Sequence, residues 1–268
     1  MKKYSALLLI LISTLFISCK KKSDSSYKYI MDLPQKCQGA PVIFMLHGYG
    51  SSAENFKADT SFDKEANKRG YAVVYVTSTK AGWSSGAGED SFNDVNGLCN
   101  LAKFIQKEFK FDKKRMYAAG FSNGGFMTHR LIAEGKGTFA AGICVGGDMS
   151  RNVWKKNQAK KIKTSFFQIT GEKDGAVPKK SDGTAESSFD PAIEDVLDHY
   201  INSSDRNHFR TEETTIGNGS MLIRYYAQTG KNQVWHLFVK DGRHAWPSVQ
   251  YNNIDINNLI LDFLDDLK

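Results

Sequence analysis

Short apolar runs that alternate with helix-like segments constrain the fold of this chain more than any other feature of its sequence. Runs of this length and composition are typical of strands that are buried on both faces of a parallel sheet. The runs are Val42–Leu46, Ala72–Thr77, Met116–Phe121, Ala140–Val145, Phe166–Thr170 and Val234–Val239.

The segments between these runs predict helices, because their apolar residues recur at helical spacing or because they begin with helix-start signals. Strands and helices in alternation predict an α/β fold, with a mostly parallel central sheet and helices on both faces. Met221–Tyr226 and Val234–Val239 are expected to form an antiparallel hairpin near one edge. The predicted helices are Asp63–Lys68, Asp94–Phe109, Gly124–Glu134, Pro191–Ile201 and Ile254–Leu267.

The first residues are expected to direct export rather than to join the fold. Lys2 and Lys3 precede an apolar run, Ala6–Ile17, which is shorter than the ~20 residues that cross a bilayer. This arrangement is typical of a signal peptide, which we predict over residues 1–18.

The signal-like run ends in Leu15–Cys19 (LFISC), which resembles a bacterial lipobox, although Phe16 stands where that motif usually has Leu. The resemblance implies that Cys19 is lipidated after cleavage and anchors the protein to a membrane outside the cytoplasm. A plain secretory signal is the alternative. We therefore expect a tether over residues 19–35, rich in Lys and Ser, and one folded domain over residues 36–268.

The charge pattern and the cysteine spacing argue against a nucleic-acid-binding protein and against a metal site. The net charge is +7, but the lysines between residues 155 and 163 are not interleaved with aromatic residues as a strand-stacking nucleic-acid site requires. Beyond Cys19, the cysteines Cys37, Cys99 and Cys144 are odd in number and lack zinc-site spacing, so we predict no metal. Whether any of them pair is left open by the sequence.

The strongest chemical motif is Gly-Phe-Ser-Asn-Gly-Gly, which begins at Gly120. It follows a predicted strand and opens a predicted helix, as a G-x-S-x-G nucleophile elbow requires. The helix N-terminus places partial positive charge where negative charge develops during acyl transfer. The motif predicts Ser122 as a nucleophile.

A second glycine-containing loop, His47-Gly48-Tyr49-Gly50, follows the strand Val42–Leu46. Hydrolases with a nucleophile elbow place an oxyanion loop after an early strand. We expect the backbone N–H groups of Tyr49 and Asn123 to hold the oxyanion.

The acid and the base are expected in loops after later strands, because ligands and catalytic groups gather at the carboxyl ends of parallel strands. Asp174 follows Phe166–Thr170, with Glu172 as its competitor and Asp182 as a more distant one. His244 follows Val234–Val239. The other histidines lie in the glycine loop, in or after helices, or within a strand: His47, His129, His199, His208 and His236.

The order Ser122, Asp174, His244 is that of α/β-hydrolases, and four motifs extend the likeness. They are the His-Gly loop, the elbow, Gly-x-x-Asp-x-x-Val-Pro around Asp174 and Gly-x-His-x-Trp-Pro around His244. With them the chain resembles the polyhydroxybutyrate depolymerase-like and feruloyl and acetylxylan esterase group, relatives of carbohydrate esterase family 1. Tyr49 stands where that group often has Cys, and the chain has no room for the polymer-binding module that many members carry.

The resemblance implies a serine esterase that needs no cofactor. No long insertion separates the strands at Val145 and Phe166, so no large lid is expected, and an open site suits a polymer-attached ester. Trp83 and Trp246 are candidates to stack on the substrate, with core packing as the alternative for each.

Feruloyl or acetyl esters on plant polysaccharide are the first substrate hypothesis, and hydroxybutyrate esters are the second. Peptidase activity is a third hypothesis. A catalytically inactive surface-binding lipoprotein is a hypothesis of a different class.

Overall fold

The computed structural model describes residues 27–87, 93–177, 191–205, 209–227 and 232–267. The predicted signal peptide 1–18, Cys19 and residues 20–26 of the predicted tether lie outside these ranges, as do Asp182 and His208. None of the helices in the described ranges has the length and apolar character needed to cross a membrane.

A central sheet organises the described part of the chain. Its strands lie in the order β1-β3-β2-β4-β5-β6-β9-β8-β7, and the inner strands from β3 to β9 are parallel. The strands are β1 Lys28–Asp32, β2 Val42–Leu46, β3 Ala72–Thr77, β4 Met116–Phe121, β5 Ala141–Val145, β6 Ser165–Gly171, β7 Phe209–Ile216, β8 Ser220–Ala227 and β9 Gln233–Val239.

Helices cover both faces of this sheet, as predicted for an α/β-hydrolase fold. Residues of α3, α4, α5 and α6 join one apolar core, and residues of α1, α2 and α8 join the other. Side chains alternate along the strands, so that Phe44 packs on the first face and Met45 on the second. The helices are α1 Ala53–Thr60, α2 Phe62–Lys68, α3 Asp94–Phe109, α4 Asn123–Glu134, α5 Arg151–Asn157, α6 Ile193–Asp205, α7 Val249–Asn252 and α8 Ile256–Asp266.

The direction in which successive strands are added to the sheet reverses at β2. From β2 the chain passes outward to β3 and then returns to β4 on the other side of β2. Leu46 of β2 pairs with Gly120 of β4, so the two strands end side by side. Open α/β sheets bind ligands in the crevice that such a reversal creates.

The edges of the sheet depart from the sequence prediction. β1 lies inside the predicted tether 19–35 and pairs antiparallel with β3, so the folded domain begins before residue 36. β7 was not predicted, although the hairpin of β8 and β9 was, and β7 forms the outer edge beyond it. Edge strands have one solvated side and mix polar with apolar residues, so they lack the continuous apolar run of an inner strand.

Two histidines, one fully buried in the core and one partly buried on β9, make the stability of the fold depend on pH. His129 of α4 lies between the Tyr200 hydroxyl and the Gln168 side-chain oxygen, at 3.1 and 3.0 Å. His236 of β9 contacts the Thr170 hydroxyl at 2.9 Å. Burial lowers the pKa of His129 to about 3 and that of His236 to about 4. Both imidazoles are therefore neutral in the folded protein at neutral pH.

We predict that the free energy of unfolding falls as the pH is lowered from 7 to 5. An exposed histidine titrates near pH ~6.5, so the unfolded chain binds more protons than the folded chain in this interval. Each of these two histidines should then lower the free energy of unfolding by about 2 kcal/mol at pH 5. Urea denaturation at both pH values measures the loss. His129→Gln, which does not titrate, should lose less stability over the interval, and an equal loss would contradict the assignment.

Candidate active site

Ser122 lies on a strained turn between β4 and α4. Its backbone has φ 53° and ψ −119°, a conformation that non-glycine residues rarely adopt. The turn is held by a hydrogen bond from the Ser122 N–H to the Val145 carbonyl, at 2.9 Å. The predicted elbow is therefore present, with the serine at its apex.

Two glycines near Ser122, Gly120 and Gly124, let neighbouring backbone segments approach more closely than any residue with a Cβ atom would allow. A Cβ atom on Gly120 would lie 2.1 Å from the Gly124 carbonyl oxygen. A Cβ atom on Gly124 would lie 2.0 Å from the Leu46 carbonyl oxygen. The start of α4 thus packs directly against the ends of β4 and β2.

The structure joins the three residues predicted as a triad. The Ser122 hydroxyl and Nε2 of His244 are 2.8 Å apart, and Nδ1 of His244 and Oδ2 of Asp174 are 2.9 Å apart. The Asp174 side chain is 3% exposed, whereas that of His244 is 31% exposed. The acid is therefore shielded from solvent while the base is accessible to a substrate.

Asp174 is held in its ionised form by its hydrogen bonds. Burial by itself raises the pKa of this carboxyl group, but bonds from His244 and from the N–H of Ala176 outweigh burial and lower it. The Ala176 N–H donates to Oδ1 at 2.8 Å, which leaves Oδ2 for the imidazole. The carboxylate can therefore fix the ring and stabilise its protonated form.

The other acidic and histidine residues that the sequence offered as acid or base lie away from Ser122. Glu172 accepts a hydrogen bond from the backbone N–H of Asp241, at 2.8 Å, on the exposed side of the loop. His129 is buried in the core, His236 lies on β9 beside Thr170, and His199 contacts the Trp154 ring. None of these side chains contacts Ser122 in the part of the chain that the structure describes.

His47 organises the loop after β2. Its Nδ1 lies 2.7 Å from the carbonyl oxygen of Gly48, and its Nε2 accepts from the Ser78 N–H at 3.0 Å. Burial lowers the pKa of His47, so the ring remains neutral and can make both bonds. This role, which ties the loop to the end of β3, was not foreseen from the sequence.

Two backbone N–H groups are available beside Ser122. Within the described residues, neither the Tyr49 N–H nor the Asn123 N–H has a hydrogen-bond acceptor in the protein. The Asn123 side chain accepts from the Trp83 N–H at 2.6 Å and donates to the Ser85 hydroxyl at 3.1 Å. Both loops are therefore fixed around the elbow, and the N–H groups predicted for an oxyanion hole are free to bind one.

The two tryptophans proposed as substrate contacts differ in their surroundings. Trp83 is 5% exposed, stacks on Tyr27 and donates its indole N–H to the His47 carbonyl at 2.8 Å. It supports the loop after β2 and is almost fully buried, which favours core packing, the alternative left open by the sequence, over stacking on a substrate. Trp246 is half-buried against Phe56 and lines a cavity next to the site.

The sequence left open whether the three cysteines beyond Cys19 form a disulfide bond. Cys37, Cys99 and Cys144 are all free thiols. Among the described residues there is also no group of three or more His, Cys, Asp or Glu side chains that could hold a metal ion.

We predict that Gly124→Ala destabilises the protein by about 2 kcal/mol or more, because the new methyl group would overlap the Leu46 carbonyl of a buried strand. Gly175→Ala is the matched control. A methyl group there meets no atom within 4 Å, so its effect should stay within about 0.5 kcal/mol. Thermal and urea unfolding of both variants measure the difference. Equal stabilities would show that the close packing at the elbow is not required.

The solved structures and curated proteins that resemble this chain include several esterases. The chain is 32% identical to a putative esterase, NocK, of Nocardia uniformis subsp. tsuyamanensis, over 43% of this chain and 35% of that protein. It is 28% identical to feruloyl esterase B of Thermothelomyces thermophilus, over 45% of this chain and 43% of that protein. The matches thus span less than half of each relative's length.

An acetyl xylan esterase from Aspergillus awamori shares the fold, with a TM-score of 0.65, 12% identity and coverage of 90% of this chain and 95% of that one. The family model that matches covers residues 31–216, well over half of the chain, and includes Ser122 and Asp174. The chain therefore belongs to the S15 family, which is described as the X-Pro dipeptidyl-peptidase family.

Proposed function

We propose that this protein is a serine hydrolase that cleaves carboxylic esters, with feruloyl or acetyl groups on plant polysaccharide as its substrates. One observation carries the proposal: Ser122, His244 and Asp174 form a continuous hydrogen-bonded chain beside the free N–H groups of Tyr49 and Asn123. This arrangement supplies a nucleophile, a base, an orienting acid and an oxyanion hole.

The geometry supports a two-step acyl transfer. The Ser122 oxygen attacks the ester carbonyl carbon while its proton passes to Nε2 of His244. The oxyanion accepts hydrogen bonds from the Tyr49 and Asn123 N–H groups, and Asp174 stabilises the imidazolium. The imidazolium then protonates the leaving alcohol, and an acyl-enzyme forms on Ser122. Water, deprotonated by His244, attacks this acyl-enzyme and releases the carboxylic acid and the free serine.

An ester attached to a polymer is the preferred substrate for two reasons. The residues between β5 and β6 form only one short helix, α5, so this connection adds no large cover over the serine. Two relatives that are 28–32% identical to this chain over the aligned regions are named as esterases, one of them a feruloyl esterase. A short connection at this position would leave room for a side group that projects from a long chain.

Two other substrates remain as alternatives within the same chemistry. The family description names an X-Pro dipeptidyl-peptidase, and the same triad can cleave peptide bonds. Hydroxybutyrate esters are the other alternative, which the motif resemblance suggests. All three substrates can be presented to the same protein, and their products differ.

We predict that the wild-type protein releases ferulate or acetate from feruloylated, acetylated arabinoxylan and that Ser122→Ala lowers kcat about 10⁴–10⁶-fold. The Ser122→Ala protein should also fail to react with a fluorophosphonate probe. Ser203→Ala, which removes a buried hydroxyl from α6 that is not part of the triad, is the matched control and should retain activity and labelling. Chromatography of the released acids is the measurement.

Other outcomes of the same assay would redirect the assignment. Cleavage of an X-Pro p-nitroanilide without release of ferulate or acetate would indicate a peptidase. Hydrolysis of hydroxybutyrate oligomers alone would indicate a polyester hydrolase. A wild-type protein that the probe does not label would contradict the triad and favour a binding protein.

We also propose that Cys19 carries a lipid that holds the protein at a membrane outside the cytoplasm. The support is the sequence around it: a positive start, a short apolar run and Leu15–Cys19 with its likeness to a lipobox. The folded domain begins close by, since β1 starts at Lys28. The enzyme would therefore act near the membrane surface.

We predict that the full-length protein, expressed in a bacterium, partitions into the detergent phase of Triton X-114 and that Cys19→Ala moves it to the aqueous phase. Cys37→Ala is the matched control and should stay in the detergent phase. Wild-type protein in the aqueous phase would argue for a plain secretory signal. Incorporation of radiolabelled palmitate provides a second measurement.

A further inference from the structure

A cavity of about 390 Å³ lies at the carboxyl end of β5, β6 and β9, next to the triad but outside it. Its floor is apolar and consists of Val145, Ile169 and Val239, all of them almost fully buried. Trp246 forms a wall, and Tyr251, whose side chain is 75% exposed, lies at the mouth. Its volume and composition match those of small-molecule sites.

The cavity lies behind the catalytic base. Gly146, which lines the cavity, forms the boundary: a Cβ atom there would lie 3.4 Å from Nδ1 of His244 and 3.5 Å from Oδ2 of Asp174. Ser122 contacts the opposite nitrogen, Nε2, and does not line the cavity. A molecule in the cavity would therefore lie on the far side of the imidazole from the nucleophile.

The aromatic wall is fixed in place before any ligand arrives. The Trp246 ring packs edge-on against Phe56, with ring centroids 5.5 Å apart. Its indole N–H donates to Asn257 at 3.1 Å, and the Asn257 amide donates to the Thr60 carbonyl at 2.8 Å. A wall held by two helices, α1 and α8, offers a flat ring to a ligand without reorganisation on binding.

Arg243 and Asp241 are the charged residues that line the cavity. Arg243 lines it, and within the described residues its guanidinium forms no ion pair. The nearby carboxylate of Asp241 is paired with Lys173 at 2.5 Å, and the Glu172 side chain accepts from a backbone N–H. Of the two charged residues that line the cavity, Arg243 is therefore the one without an ion pair among the described residues.

We propose that this cavity binds an aromatic carboxylate of the hydroxycinnamate class, with its ring against Trp246 and its carboxylate at Arg243. An apolar floor with a fixed aromatic wall selects a planar ring, and a guanidinium without a partner selects a carboxylate. The choice of ligand rests on the proposed function, because such an acid is the product of feruloyl ester hydrolysis. The site would thus hold the product behind the base, separate from the cleft in which it forms.

The test places 5-fluorotryptophan in the full-length Ser122→Ala protein and titrates it with ferulate. The chain has four tryptophans, at 83, 154, 235 and 246, so each can report by ¹⁹F NMR on its own surroundings, and Trp246→Phe assigns the relevant signal. We expect ferulate to shift the Trp246 signal in a saturable manner. The Trp83 signal, which reports on the oxyanion side through its bond to Asn123, should move little.

Two charge-removing variants and a neutral ligand test whether the Arg243 guanidinium binds the carboxylate of ferulate. Arg243→Gln should weaken ferulate binding about tenfold, whereas Lys240→Gln, the matched loss of a neighbouring charge, should change it less than about twofold. Methyl ferulate has no carboxylate, and the Ser122→Ala protein is not expected to hydrolyse it. In the Ser122→Ala protein with Arg243 intact, methyl ferulate should bind about as weakly as ferulate binds after the additional change Arg243→Gln.

Several results would overturn the proposal. These are no shift of the Trp246 signal, a shift of the Trp83 signal alone, and equal weakening by Arg243→Gln and Lys240→Gln. Because the titration uses a protein without the nucleophile, its outcome does not depend on ester hydrolysis. Failure of this site and failure of the proposed function are therefore separate results.

Discussion

The contact between the first turn of α4 and the ends of β2 and β4 determines the arrangement of the rest of the site. Gly120 and Gly124 let carbonyl groups of neighbouring segments approach to distances that any side chain would prevent. The turn between them holds Ser122 in a strained conformation, and it also brings Asn123 against the loop that contains Trp83 and Ser85. Strain at this position is stabilised by a packed surrounding structure, as is common where a side chain must be presented for chemistry.

The acid and the base reach Ser122 through the order of the strands. β6 and β9 are neighbours in the sheet although many residues separate them in the chain, so the loops that follow them lie together. Asp174 and His244 come from these two loops and meet 2.9 Å apart. The same pairing leaves space beneath the His244 loop, and this space is the cavity lined by Trp246 and Arg243. One topological feature thus gives both the triad and a second binding surface.

Sequence reasoning succeeded for the inner strands because burial on both faces requires continuous apolar runs. It failed for β1 and β7, whose outer sides face solvent and whose residues are mixed. The two tryptophans show a similar limit. Composition favours neither packing nor exposure for an indole ring, and the actual environment of Trp83, stacked on Tyr27 and bonded to His47, depends on segments that are distant in sequence.

The sequence by itself determined the α/β class, the elbow at Ser122 and the chain order of Ser122, Asp174 and His244, because strand burial and a strand-to-helix turn leave local patterns. Tertiary structure alone decided which carboxylate meets His244. Glu172 and Asp174 are two residues apart in the same loop, and only the loop's path over β9 turns Asp174 inward and Glu172 toward Asp241. It likewise decided that Trp246 rather than Trp83 borders an open cavity, since the exposure of a ring depends on its packed neighbours and not on its place in the chain.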